Sequence, residues 1–164
     1  MPGMTPYEFY EGFVFPNYSD WQKEPTSVRL AFNTAVAAFH LADHYCRYFQ
    51  NEDADFLQRY GEGEDGLKEF QATLVLRQSD FKTIQDMANA YKHLYTRTSC
   101  SIASGGAITC IEYEGDKIEA DYEEPKYEVV IRHRNGAMTK FSKVIESVLE
   151  MWTDIVCSNK QPAI

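Results

Sequence analysis

Apolar residues in this chain recur three and four positions apart up to about residue 97, and then begin to alternate. The longest helical pattern is VRLAFNTAVAAFHLADHYCRYFQ, residues 28–50, with Thr26 or Ser27 placed to cap it. Val28, Phe32, Ala35, Phe39, Ala42, Cys46 and Phe49 form its apolar seam, and the alanines allow a neighbour to approach closely. Leu30, Ala37 and Leu41 lie on the other side, so this helix is expected to have neighbours on two faces. A short helix over Ala54–Tyr60, an acidic Gly-rich loop to Gly66 and a helix over Leu67–Gln78 follow. Ser79 then opens SDFKTIQDMANAYKHLYTR, where Phe81, Ile84, Met87, Ala88, Tyr91 and Tyr95 share one stripe and Asp80 sits at the positive end of the dipole.

Before this block, Thr5-Pro6-Tyr7-Glu8 fits a capping box with proline at the first helical position. It predicts a helix over 6–11 that Gly12 stops, followed by an irregular stretch from Phe13 to Pro25. Beyond Arg97, Thr98–Gly106 reads as a small-residue linker. Ala107–Tyr113, Lys117–Tyr122 and Tyr127–Arg134 have strand character, with a hairpin turn at Gly115-Asp116 and a second turn at Asn135-Gly136. A short bridge then leads to an amphipathic helix from about Ser142 to Cys157, and Ser158–Ile164 reads as a frayed tail. The expected fold class is α+β, predominantly α: a helical bundle with a three-stranded antiparallel β-meander inserted before the C-terminal helix. A single domain over 1–164 is expected, with an aromatic arm at 1–25, a helical core at 26–97, the meander at 107–134 and the last helix at 141–157.

Eleven Tyr, ten Phe and two Trp raise the area available for burial, and seven of these rings crowd the first twenty-one residues. An arm so apolar must pack on its own core or on a partner subunit, and covering the edge of its own core is the expectation. The net charge of −9 lacks the basic face that phosphate binding uses, so nucleic acid is not an expected partner. No apolar run reaches the ~18 residues of a membrane span, and the N-terminus lacks a signal peptide's order, which predicts a cytoplasmic protein and no membrane. Cys46, Cys100, Cys110 and Cys157 are scattered without a C-x-x-C pair and read as reduced thiols.

Two polar rows carry the candidate chemistry. Asp86, Asn89 and His93 fall on one side of their helix, away from its stripe; His40, Asp43 and Arg47 form the second row, with His44 one position round. His40 and His44 have the i, i+4 spacing of two metal ligands on one helix, and His93 or Asp86 from another helix would complete a divalent-metal site. Asp43, nearest the seam, is expected to be partly buried, and His93 with Asp43 or Asp86 would make an acid–base pair. The glycines at 61, 63 and 66 lack the Lys-Ser/Thr of a phosphate loop, and neither G-x-S-x-G nor H-E-x-x-H occurs.

The segment ANAYKH, Ala88–His93, resembles the R-N-x-x-x-H signature of the HEPN superfamily, all-α domains with RNA-cleaving and nucleotide-binding members. Asn89 and His93 match, whereas Ala88 stands where the motif has the arginine that forms the ribonuclease site with the histidine, usually across a dimer. The resemblance therefore implies a non-nucleolytic relative, and the β-meander departs from the usual pattern. Three functions are thus expected in order: a non-catalytic interaction or self-associating module with a protein partner or homodimer; a metal-binding or acid–base bundle using His40, His44, Asp43, Asp86 and His93; and a HEPN-like nucleotide or RNA binder.

Overall fold

A computed structural model describes residues 3–94, 108–113, 128–133 and 135–158, and side chains for all of these except 91–94 and 108–113. The expected linker at 98–106, the Gly115-Asp116 turn, the strand at 117–122 and the tail beyond Ser158 lie outside it. Helix α1, Pro6–Phe9, begins with the predicted capping box: Glu8 N–H donates to Thr5 Oγ1 (3.2 Å), and Thr5 N–H donates to Glu8 Oε2 (2.7 Å).

Gly12 does not stop this helix. The backbone passes through a π-helical turn, Tyr10–Val14, into helix α2, Phe15–Lys23, so the expected irregular stretch is mostly helical. Proline cannot donate a hydrogen bond and its ring crowds the carbonyl four residues back. A widened turn accommodates Pro16, with Phe15 N–H donating to Tyr10 O and the Asn17 side chain donating to Phe13 O (2.7 Å). Burial of Tyr10, Val14 and Trp21 holds the continuous helix against the body. The arm thus packs on its own core.

Helix α3, Val28–Glu52, is the central strut, capped by Ser27. Phe32, Ala35, Phe39, Ala42 and Cys46 of the seam are buried, and so are Leu30 and Leu41 on the other side. Thr34, fully buried, shares its one hydroxyl proton between Asn17 O and Leu30 O (2.9 Å each), which pins the arm to α3. Helix α4, Ala54–Tyr60, falls where the pattern places it. Helix α5, Gly63–Arg77, starts before the expected Leu67, with Glu64 and Asp65 in its first turn. Tyr45, Phe56, Tyr60 and Phe70 weld α3, α4 and α5 together, Tyr45 and Phe70 stacking at 5.2 Å.

Helix α6, Asp80–Leu94, buries Phe81, Ile84, Met87 and Ala88, as its stripe predicts. Helix α7, Phe141–Ser158, closes the bundle. Its Trp152 is fully buried and donates from Nε1 to Ala38 O (3.1 Å), while Ser147 Oγ donates to Asp80 Oδ2 (2.7 Å) at the start of α6.

The sheet departs from the expected meander. Strand β1, Ile108–Tyr113, pairs directly and antiparallel with β2, Glu128–His133, with Ile108 opposite His133 and Tyr113 opposite Glu128. In a meander these two would be parallel and separated by the strand at 117–122. The short bridge after the Asn135-Gly136 turn is itself a strand, β3 Met138–Lys140, on the other edge of β2. The break in alternation at Val130 now has a cause, since Val129, Val130 and Ile131 are all buried. Glu128 Oε2 accepts Ser142 N–H (3.1 Å), capping the first turn of α7 from the sheet.

Candidate functional site

The candidate residues of the two polar rows have different surroundings. On α3, His40 Nδ1 donates to Asp43 Oδ2 (3.4 Å), and Gln71 Nε2 of α5 donates to Asp43 Oδ1 (3.3 Å). Gln85 Nε2 of α6 donates in turn to Gln71 Oε1 (3.4 Å). The result is a polar chain across three helices with Asp43, 30 % exposed, as its acceptor. Periodicity marked Asp43, but Gln71 and Gln85 carried no signal until the helices met.

His44 belongs elsewhere. Its Nε2 donates to Met4 O (2.7 Å), and its ring stacks on Phe9 with centroids 4.9 Å apart, so it fastens the arm. On α6, Asp86 is paired with Lys82 one turn back, and Asn89 is exposed. Ala88, at the position of the motif arginine, is buried. The His93 backbone is in α6, and its side chain lies outside the described residues. Among the described residues, no group of three His, Cys, Asp or Glu is arranged to hold a metal ion. Cys46 is buried and Cys157 exposed, both as free thiols. Burial pushes the Cys46 thiol up, which disfavours the reactive thiolate.

A concave surface lies between the arm and α7. A groove of about 390 Å³ is walled by Tyr10, Phe15 and Tyr18 on one side and by Glu146, Leu149, Glu150, Thr153 and Asp154 on the other. The α7 residues share one face because they are three and four apart. Thr153 Oγ1 donates to Leu149 O (2.8 Å); with its proton so used, the Tyr10 hydroxyl is the donor in the 3.0 Å contact to Thr153 Oγ1. Tyr18 donates weakly to Glu146 Oε1 (3.4 Å). Burial raises the pKa of both phenols, and the Glu146 carboxylate pushes Tyr18 further the same way, so both stay protonated donors at neutral pH.

Phe15 is 49 % exposed despite forming a wall of this groove. Glu150 has no hydrogen-bond or ion-pair partner among the described residues, and Asp154 meets only the Arg77 guanidinium, at 3.9 Å. Sequence reasoning missed the site, although the i, i+4, i+8 row Glu146, Glu150, Asp154 was readable in the last helix. A second cavity of about 410 Å³ lies beneath α1, where Tyr7, Tyr45, Tyr48 and Phe49 line it. No family model, no curated protein and no solved structure matches the chain. Among the described residues, no helix is long and apolar enough to cross a membrane.

Proposed function

We propose that this chain is a non-catalytic interaction module whose recognition face is the groove between the N-terminal arm and α7. The observation that carries this reading is the combination of half-exposed Phe15 with an unpaired Glu150 across a formed groove. An exposed aromatic ring beside solvent-facing polar groups that no neighbour engages is the composition of a recognition surface. The histidines and acids expected to do chemistry engage their neighbours: His44 ties the arm, Asp86 pairs with Lys82, and Asp43 joins three helices.

The test is a photo-crosslinking side chain at position 15, with position 59 on the far α4 surface as the control. The module reading expects a discrete adduct from position 15 only. The adduct's partner, purified, should bind the wild-type chain and lose about tenfold or more with Phe15→Ala, the usual effect of removing an aromatic anchor. No position-specific adduct, or a partner indifferent to Phe15→Ala, would overturn it. A homodimer formed arm against arm is the self-associating form of the same reading, supported by exposed Phe13 and Phe15, and sedimentation equilibrium separates it by mass.

One observation favours a metal-binding or acid–base alternative: the long contact to Asp43 engages His40 Nδ1–H and leaves its Nε2 for other chemistry. Stoichiometric zinc, iron or manganese in protein purified without a histidine tag, lost in His40→Ala, would put that alternative first.

A further inference from the structure

We infer that the groove between the arm and α7 takes an arginine side chain presented by a segment of a different protein. The inference rests on the module reading and adds the chemistry of its partner. Glu146, Glu150 and Asp154 stand one turn apart along one face of α7. Like charges at this spacing repel and destabilise a helix, and a cation placed against them relieves that cost. Facing them are Tyr10 and Tyr18, whose hydroxyls reach across to Thr153 and Glu146, and the half-exposed ring of Phe15, a group that attracts cations. A groove that offers an exposed aromatic ring on one wall and carboxylates on the other is complementary to a group that is planar, cationic and rich in donors. Guanidinium has all three properties and can bond a carboxylate through two parallel N–H groups while stacking on a ring.

Two further observations point the same way. Arg77 already leans its guanidinium toward Asp154 at 3.9 Å, both side chains being more than half exposed, so an incoming arginine has only a weak, solvent-screened pair to displace. The π-helical turn Tyr10–Val14 leads directly into the wall at Phe15, and single π turns inside helices are concentrated at functional sites.

Charge also selects between occupants. A second copy of this chain, at net charge −9, would bring another acidic body to an acidic groove. Half-exposed Phe15 gives the groove an apolar rim that a small amine alone would leave uncovered. A segment with apolar residues flanking its arginine uses that rim.

The experiment is a resonance-by-resonance titration of the full chain with pentapeptide pools that have a fixed central residue and are degenerate on either side. The central-arginine pool should shift the Phe15, Leu149 and Thr153 amides at about one tenth of the concentration needed by a central-citrulline pool, the ratio expected for one charge-assisted bond. The shift should weaken as salt is raised. Glu150→Gln should abolish most of the difference between the pools, and Arg59→Gln should leave it unchanged. Equal action by the citrulline or central-glutamate pool would overturn the arginine assignment and leave the module reading standing. An equal response to tetramethylammonium alone would overturn it in favour of a small-amine site. No response at these amides to the arginine pool would overturn it too, whereas absence of the position-15 adduct is what removes the module reading itself.

Discussion

At the scale of single residues, the structure separates side chains that hold the fold from those that face outward. Trp152 is the strongest example of the first kind, fully buried with its indole N–H on the Ala38 carbonyl in the centre of α3. Replacing it with Phe removes the bond and part of the ring while keeping an aromatic group. The expected cost is about 1–3 kcal/mol, read as a lower midpoint in chemical denaturation. An unchanged midpoint would mean that α7 does not dock on α3 in this way. His40 is different in kind: its 42 % exposed ring makes a long hydrogen bond to Asp43, a pair of modest worth for stability. The seam of α3 was readable residue by residue because burial there follows the helical period. Gln71 and Gln85 were not, since a glutamine acquires its role from what a neighbouring helix brings within reach.

At the scale of elements, the arm tests the balance between local and tertiary signals. Gly12 and Pro16 both argue locally for a break, yet α1, the π turn and α2 run on as one helical path. Gly12 lies within the turn with open space where a Cβ would sit, and it is not among the glycines with positive φ. Gly12→Ala should therefore stabilise the protein by about 0.4–1 kcal/mol, because alanine restricts the unfolded chain and fits a helical backbone. A helix that ended at Gly12 with a left-handed residue would respond in the opposite direction. Thermal unfolding of the two proteins side by side decides the sign. Gly66 shows the reverse case: a Cβ there would stand 2.3 Å from Gly61 O, so the α4–α5 corner closes only over glycine.

At the scale of the whole molecule, the arm and α7 are coupled through buried Tyr10, whose hydroxyl reaches Thr153. Burial raises the Tyr10 pKa, so between the ordinary tyrosine value of roughly pH 10 and the folded value the native chain holds a proton that the unfolded chain has released. Stability contributed by this group is therefore full below roughly pH 10 and falls as pH rises through the folded value. Tyr18, raised mainly by burial, adds a second loss of the same sign. Tyr10→Phe should cost about 1 kcal/mol near neutrality through the lost hydrogen bond. Its disadvantage should shrink toward pH 11, because phenylalanine does not ionise. Urea midpoints of both proteins at pH 8 and in the alkaline limb measure this, and a gap that stays constant would sink the assignment.

The sequence by itself placed a helix starting at Val28, one over 54–60, one opening at Ser79 and one from about Ser142 to Cys157, with the buried seam or stripe of the first, third and last, the capping box at Thr5 and the turn at Asn135-Gly136. Each rests on interactions within about one helical turn or one hairpin loop, so neighbouring residues contain the information. Tertiary structure decided the rest. Whether Gly12 ends a helix depended on the burial of Tyr10, Val14 and Trp21 against the body. Which strand lies beside Ile108–Tyr113 depended on pairing across many residues, where strand character alone does not choose a partner. The groove depended on docking the arm against α7, more than a hundred residues apart in sequence, so that aromatic rings from one end of the chain face carboxylates from the other. Local propensity decides what a segment can be, and burial against distant segments decides which possibility is realised and what surface it leaves exposed.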